Sequence, residues 1–354
     1  MNVLIVVGAG ASYDCWAKHV PKPPDYNNYR LPLAKELFYH YPQQSLLIQE
    51  YDLLDIASQL RSKANSLGDK FDIEDELLKI SKRANKINDI NTLHSLFKTR
   101  FYLQRLITSL TLSTINRTYG HTDYIDLIRK LKYWIEDAPE DQDRIVDIVN
   151  FNYDTLLETA IENHYSVDWR LKNEENQMSA YYRGRNLRIY KPHGSINWGR
   201  VVQKNGGNKF NYLNQITAFK DFNNLTIQNI FRYMNPENFY DNHIPKDVIP
   251  AIAIPFKEKT TFDECPQFML EAMVEAINNA DYIITLGWKG AEKNFTKLLL
   301  TNGKKIKAVY VVSPSAETNL STIFPEGKIQ KIESTFSYFV SQTVTLEAIL
   351  KKLQ

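Results

Sequence analysis

MNVLIVVGAGASYDCW (residues 1–16) is the stretch whose reading decides the fold. Residues 3–7 are apolar at every position and break at once into Gly8-Ala9-Gly10-Ala11-Ser12. A continuous aliphatic run without polar alternation fits a strand covered on both faces, as in a parallel sheet. A glycine-rich turn directly after such a strand lets the backbone approach a pyrophosphate and points amide N–H groups at it. The dinucleotide fingerprint wants a third glycine where this chain has Tyr13, and no clear acidic residue ends a second strand about twenty residues later. Ordinary hydride-transfer chemistry is therefore not expected, and an isolated GAG can also be a turn that serves packing alone.

Four further runs carry the same signature: IVDIVNF (145–151), VIPAIAI (248–254), YIITLG (282–287) and KAVYVVS (307–313). Helical patterns come directly after two of them, DTLLETAIENHY (154–165) and GAEKNFTKLLLTNG (290–303). Strand-helix alternation of this kind predicts an α/β fold, a Rossmann-like doubly wound parallel sheet carrying all five runs. Between the first and second runs lie helical periods such as FDIEDELLKISKRA (71–84), LFKTRFYLQRLITSLTLSTINR (96–117) and TDYIDLIRKLKYWIED (122–137). That stretch is too long for a crossover and predicts a helical insert module over 33–140 within one domain of 1–354. Residues 166–247, rich in Asn, Tyr and Gly, read as an irregular region with short strands and a hairpin turn at KNGGNK (204–209).

With 354 residues, 43% of them hydrophobic, the chain can bury a sizeable core. Lys and Arg number 43 against 41 Asp and Glu, so no bulk field recruits nucleic acid or an anionic membrane. The charged stretch KGAEKNFTKLLLTNGKKIK (289–307) reads more simply as a solvated helix face than as a nucleic-acid site. Two cysteines, Cys15 and Cys265, are too few for a disulfide framework or a four-cysteine zinc site, which suits a cytoplasmic protein. The first apolar run is too short to span a membrane and lacks the features of a signal peptide.

In DIVNFNYDTLLE, Asn150, Asn152 and Asp154 crowd the end of a strand just before a helix. Polar side chains at the carboxyl ends of parallel strands face the ligand crevice. Any one of them can instead cap the helix, but three together favour a site. In LRIYKPHGSINW, His193 sits between a rigid Pro and a permissive Gly, a setting that fixes an imidazole at a loop apex. His19, His40, His94, His121, His164 and His243 get a structural reading; His193 invites that of a general base.

GAGAS, NFNYD, KPHGSINW, LGW and VVSPS, in that order, resemble the sirtuin superfamily, and most closely the Sir2-type NAD-cleaving domains of bacterial antiviral defence systems. The resemblance implies catalytic roles for Asn152, Asp154 and His193. It implies cofactor-binding roles for Gly8, Ala9, Gly10, Ala11, Ser12, Asp14, Gly287, Trp288 and Ser313. Protein deacylases of the family usually carry a four-cysteine zinc ribbon and an acyl-peptide groove, and this chain cannot build that ribbon. No zinc is expected, and no cofactor beyond NAD+ as substrate.

The resemblance further implies an NAD+ glycohydrolase that releases ADP-ribose and nicotinamide as an abortive-infection effector. The alternatives are a silent NAD or ADP-ribose-binding sensor or interaction subunit, and a zinc-free ADP-ribosyltransferase or deacylase. Control is expected from self-assembly as a homo-oligomer, from the helical insert, or from a partner such as a DNA-translocase-type ATPase or an Argonaute-like protein. Neither membrane attachment nor direct nucleic-acid binding is expected.

Overall fold

The computed structural model describes residues 1–17, 19–39, 41–165, 181, 184–204, 225–234, 248–256, 262–315, 319–342 and 345–353. His40, His243 and the expected turn at 204–209 beyond Lys204 lie outside them. The chain divides into two compact units: Met1–Leu31, Thr111–Pro192 and Gln267–Gln354 form the first, Pro32–Leu110 and His193–Pro266 the second.

The first unit is built on a six-stranded parallel sheet. Its strands are β1 (Asn2–Val7), β2 (Ile145–Asn150), β3 (Leu187–Tyr190), β7 (Tyr282–Leu286), β8 (Ala308–Ser313) and β9 (Ile329–Glu333), in the order β3-β2-β1-β7-β8-β9. Residues 3–7 have no exposed surface, as the unbroken apolar run predicts for a strand covered on both faces. The covering helices include α6 (Asp123–Glu136) on β2, α8 (Gln267–Asn279) on β1 and β3, and α10 (Phe336–Ser341) on β8, with α9 (Lys293–Asn302) packed beside α8. The fold is thus α/β and Rossmann-like. Strand order reverses direction beside β1, whose two neighbours are β2 and β7. Register aligns Val7 with Asn150 on one side and Leu286 on the other, and Leu286 with Val312. The loops after β1, β2, β7 and β8 therefore leave the sheet at one level.

Four of the five apolar runs are strands of this sheet. VIPAIAI is not: β6 (Val248–Ile252) belongs to a three-stranded antiparallel sheet of the second unit, ordered β5-β4-β6 with β4 (Gly194–Lys204) and β5 (Leu225–Tyr233). All five residues of β6 are buried, so the run signals covering on both faces but not the sheet it joins. Pro250 was the contrary sign, since a residue without an N–H is kept to edge positions, and β6 is an edge. The edge strands β3 and β9 carry polar residues and escape an apolar-run reading.

Between β1 and β2 the chain forms a short α1 (Ala9–Tyr13), then α2 (Pro42–Glu50), α3 (Leu54–Leu67), α4 (Ile73–Ile87), α5 (Ile90–Arg117) and α6. These helices divide: α2 to α4 belong to the second unit, α6 to the first, and the boundary falls within α5. In the second unit, Gln104 of α5 donates to the Ile196 carbonyl of β4 at 2.8 Å, and Arg100 pairs with Glu264. Gly194 opens β4 at φ +78°, and a Cβ there would come within 1.9 Å of the Ala251 carbonyl, so β4 can approach β6 only with glycine at this position.

One charged group lies inside the parallel sheet. Asp147 of β2, 1% exposed, receives both Nε (2.7 Å) and Nη2 (2.8 Å) of Arg188 and the Tyr190 hydroxyl (2.9 Å) from β3. Register places Arg188 directly across from Asp147. Removing one partner of a buried pair costs about 3–5 kcal/mol, and the low end applies here because Arg188 retains some solvent contact. Asp147→Ala should lower unfolding stability by about 3 kcal/mol in urea titrations, and a loss under about 1 kcal/mol would refute this role for the pair.

Candidate functional site

Two loops meet at the switch point beside β1. The Gly8 amide donates to the Leu286 carbonyl (3.0 Å), the Gly10 amide to Gly287 (3.2 Å), and the Gly287 amide to Val312 (3.2 Å). Gly287 has φ +60°, and a Cβ on it would fall 2.3 Å from the Ala11 nitrogen. A Cβ on Gly8 would meet the Gly287 carbonyl at 2.6 Å, and one on Gly10 would meet the same residue at 3.0 Å. The glycines seat one backbone on another. Expecting Gly10 to be small so that a pyrophosphate can approach assigns the wrong neighbour: its own protein fills that space first. The amides of Gly8, Gly10 and Ala11 all engage protein carbonyls, so anion contact at this loop falls to its other groups.

A buried polar network joins this loop to the end of β2. Asn152, 6% exposed, donates from Nδ2 to the Gly8 carbonyl (3.0 Å) and to Ser12 Oγ (2.8 Å), with Tyr124 Oη at 3.4 Å. Ser12 Oγ lies 2.9 Å from Tyr124 Oη and also hydrogen-bonds the Asp154 carboxyl. The Asn152 backbone amide donates to Asn150 Oδ1 at 3.0 Å, while Asn150 Nδ2 is buried with no hydrogen-bond partner among the described residues. With Nδ2 spent on the loop, Asn152 retains Oδ1 as its acceptor.

Asp154, 3% exposed, accepts from the Leu156 amide at 3.1 Å, at the start of α7 (Leu156–His164). Thr155 is the N-cap of α7, and Asp154 just before it takes the Leu156 amide while the same carboxyl reaches Ser12. Lys191, fully buried, donates to the Asp154 backbone carbonyl (2.5 Å) and to Glu158 Oε1 (2.7 Å). Burial raises the carboxyls of Asp154 and Glu158 above their usual values, and Lys191 pulls both back. Two carboxylates share one buried ammonium, and an isolated buried charge is costly, so the cluster favours keeping a proton on one of them. Burial, then Asp154, also raises the Tyr124 hydroxyl well above its ordinary value.

The remaining residues separate. Asp14 Oδ2 accepts from the Ser337 amide at the start of α10 (2.9 Å) and so ties the loop to that helix. Ser313 closes β8 with Oγ 3.5 Å from Ser315 Oγ. Trp288 is 2% exposed, stacked on Phe151 (5.8 Å, 10°) and edge-on to Phe295, with its indole N–H on Glu292. That makes it a core side chain. His193 belongs to the second unit, where its carbonyl accepts from the Ala253 amide at 3.0 Å. Tyr124, Glu158 and Lys191 were missed from sequence. Glu158 had a weak signal, an acid in the first turn of the helix that comes after Asp154; Lys191 stood unremarked in KPHG, and Tyr124 had none.

No family model matches the chain, and no curated protein matches it by sequence. Among solved structures it is similar to a mutant Sir2 homologue in complex with ADP-ribose, at 12% identity and a TM-score of 0.40 over 99% of this chain and 92% of the other. It is also similar to a Sir2 homologue in complex with NAD (12%, 0.39, 99% and 90%) and to a triple mutant in complex with 2′-O-acetyl ADP-ribose (13%, 0.41, 99% and 92%). Likenesses of this depth assign neither ligand nor chemistry to the present chain.

Left-handed strain and a backbone clash together make Gly287→Ala destabilising by about 2–4 kcal/mol, measurable as a lowered urea midpoint; an unchanged midpoint would mean the two loops do not share that space. For Asp154 the folded carboxyl titrates above its unfolded value of 3.8, so the folded state binds the extra proton and loses stability as pH rises from about 4 through the raised value. Asp154→Asn keeps the acceptor for Leu156 without that loss. The stability difference, variant minus wild type, should grow with pH across this window in denaturant titrations, and a flat or falling difference would contradict the assignment.

Proposed function

We propose that the first unit binds NAD+ at the carboxyl ends of β1, β2, β7 and β8, and that the protein hydrolyses the bond between nicotinamide and ribose. The observation that carries this reading is the convergence of loop 8–12, Asn152, Asp154 and Gly287 at the switch point, where doubly wound sheets take their nucleotides. The order of the motifs GAGAS, NFNYD and KPHGSINW, which resembles the sirtuin superfamily, supports the same ligand.

In the proposed reaction the ribose C1′–nitrogen bond breaks through an oxocarbenium-like state, as in glycoside cleavage, and nicotinamide leaves with the bonding pair. Water adds its oxygen to C1′ and gives up one proton, so the products are ADP-ribose, nicotinamide and a proton. Asn152 Oδ1 is the atom left to accept from a ribose hydroxyl or the water. Asp154 supplies a carboxyl whose burial favours proton exchange near the ribose. The Lys191–Glu158 pair holds the turn that carries both. His193 enters as proton acceptor through its His-Gly motif alone. The proposal extends to the antiphage role and control by assembly or a partner subunit that the resemblance implies, since uncontrolled hydrolysis would drain cellular NAD.

One observation favours a second reading, a binder that does not cleave: the Asn152 amide and the Ser12 hydroxyl are already engaged with each other and with the loop. Chromatographic measurement of nicotinamide release, beside calorimetric NAD affinity, separates the two. Cleavage by the wild type, and a loss on the order of a hundredfold in Asn152→Ala and in His193→Ala, is the expected result. Because Asn152 also braces the loop, its alanine variant should lose about 1–3 kcal/mol of stability and still fold. NAD binding without nicotinamide release would leave the binder; turnover equal to wild type in both variants would end the catalytic assignment.

A further inference from the structure

The second unit contains a cavity of about 520 Å3. Phe38, Tyr39, Tyr41 and Phe71 line it together with residues of α3, Arg61 and Ala64 among them, and Lys35. The segment 36–39 is held in place from three directions. Arg61 of α3 donates from Nε to the Phe38 carbonyl (2.6 Å) and from Nη2 to the Tyr39 carbonyl (2.8 Å). Tyr102 of α5 donates to the Leu37 carbonyl and stacks on Phe38 with centroids 5.2 Å apart. Gln44 of α2 donates to the Glu36 carbonyl at 2.9 Å. Three helices fix this wall, so the cavity is formed in advance of any occupant.

Arg61 is half-buried, and among the described residues no carboxylate forms an ion pair with it. Its two carbonyl bonds leave Nη1 without a partner there. Burial draws its pKa down, the mark of a cation short of solvent and of counter-charge. The one acid lining the cavity, Asp69, is exposed. Aromatic walls with a half-buried guanidinium, beside which Lys35 is an exposed second cation, are the composition of a small-molecule site.

The geometry points to a second ligand site in this unit, for a small organic anion that carries a planar ring, with the ring among Phe38, Tyr39, Tyr41 and Phe71 and the anion on Arg61. Guanidinium groups bind phosphate and carboxylate alike, so either head group satisfies the chemistry. The inference does not rest on NAD binding in the first unit.

Isothermal titration of the full chain with 1-naphthyl phosphate and with 1-naphthoate tests it, since neither probe has a ribose or a pyrophosphate. At least one should bind with single-site stoichiometry, and the relative affinity of the two identifies the head group. Naphthalene-1-methanol and methyl phosphate, each with half of the chemistry, should bind at least tenfold more weakly. Arg61→Gln should weaken binding tenfold or more, while Asn152→Ala, altered only in the first unit, should bind the probe as wild type does. Ala64→Phe, which fills the cavity from α3 and keeps the Arg61 guanidinium in the chain, should abolish binding with the thermal midpoint kept, and decides the matter if Arg61→Gln does not fold. No binding by either anion, equal binding by the neutral alcohol, or full binding by Ala64→Phe would overturn the site.

Discussion

The polar network around Asn152 depends on the close seating of loop 8–12 against Gly287. Parallel pairing of β1 with β7 brings the two strand ends level, and the loops that leave them must either diverge or pack backbone on backbone. Three glycines allow the second outcome. Amide-carbonyl bonds then lock the loops, so the Gly8 carbonyl and the Ser12 hydroxyl stand where Asn152 can reach them from the end of β2. A side chain on any of the three glycines would push apart the scaffold on which that network rests.

The network itself is expensive to bury. Lys191, Glu158, Asp154, Ser12 and Asn152 all lie out of solvent, and charges of this kind contribute little net stability against an apolar replacement of equal volume. Their contribution is position. The Lys191 ammonium grips the Asp154 carbonyl and the Glu158 carboxyl together, which fixes the path of the chain from β2 into α7. Asp147 with Arg188 and Tyr190 performs the analogous task between β2 and β3, within the sheet and away from the crevice. One buried pair sets a strand register; the other sets a turn.

Helix capping and site formation are usually treated as rival explanations for an Asp or Asn after a strand. For Asp154 they do not exclude each other: the carboxyl has two oxygens and four lone-pair sites, enough to receive the Leu156 amide and Ser12 together. The converse holds for Trp288. Its place in LGW, just after a strand, suggested contact with a ligand, and its ring instead completes a cluster with Phe151 and Phe295.

The sequence by itself determined the kind of sheet and the place where polar groups would gather. Largely apolar runs at 3–7, 145–149, 282–286 and 308–312, interrupted only by Asp147 and Thr285, are satisfied by covering on both faces, and polar residues at their carboxyl ends have no choice of level once the strands pair in register. Tertiary structure decided what no local pattern carries: that the run at 248–254 joins a different sheet, that Tyr124 and Lys191 reach a network whose other members lie up to 179 residues away in the chain (191 less 12), and which neighbour each glycine serves. Hydrophobic periodicity records how much of a segment is buried. It holds no record of what lies against it, because burial is a property of one chain segment, whereas a hydrogen bond or a close backbone approach belongs to two.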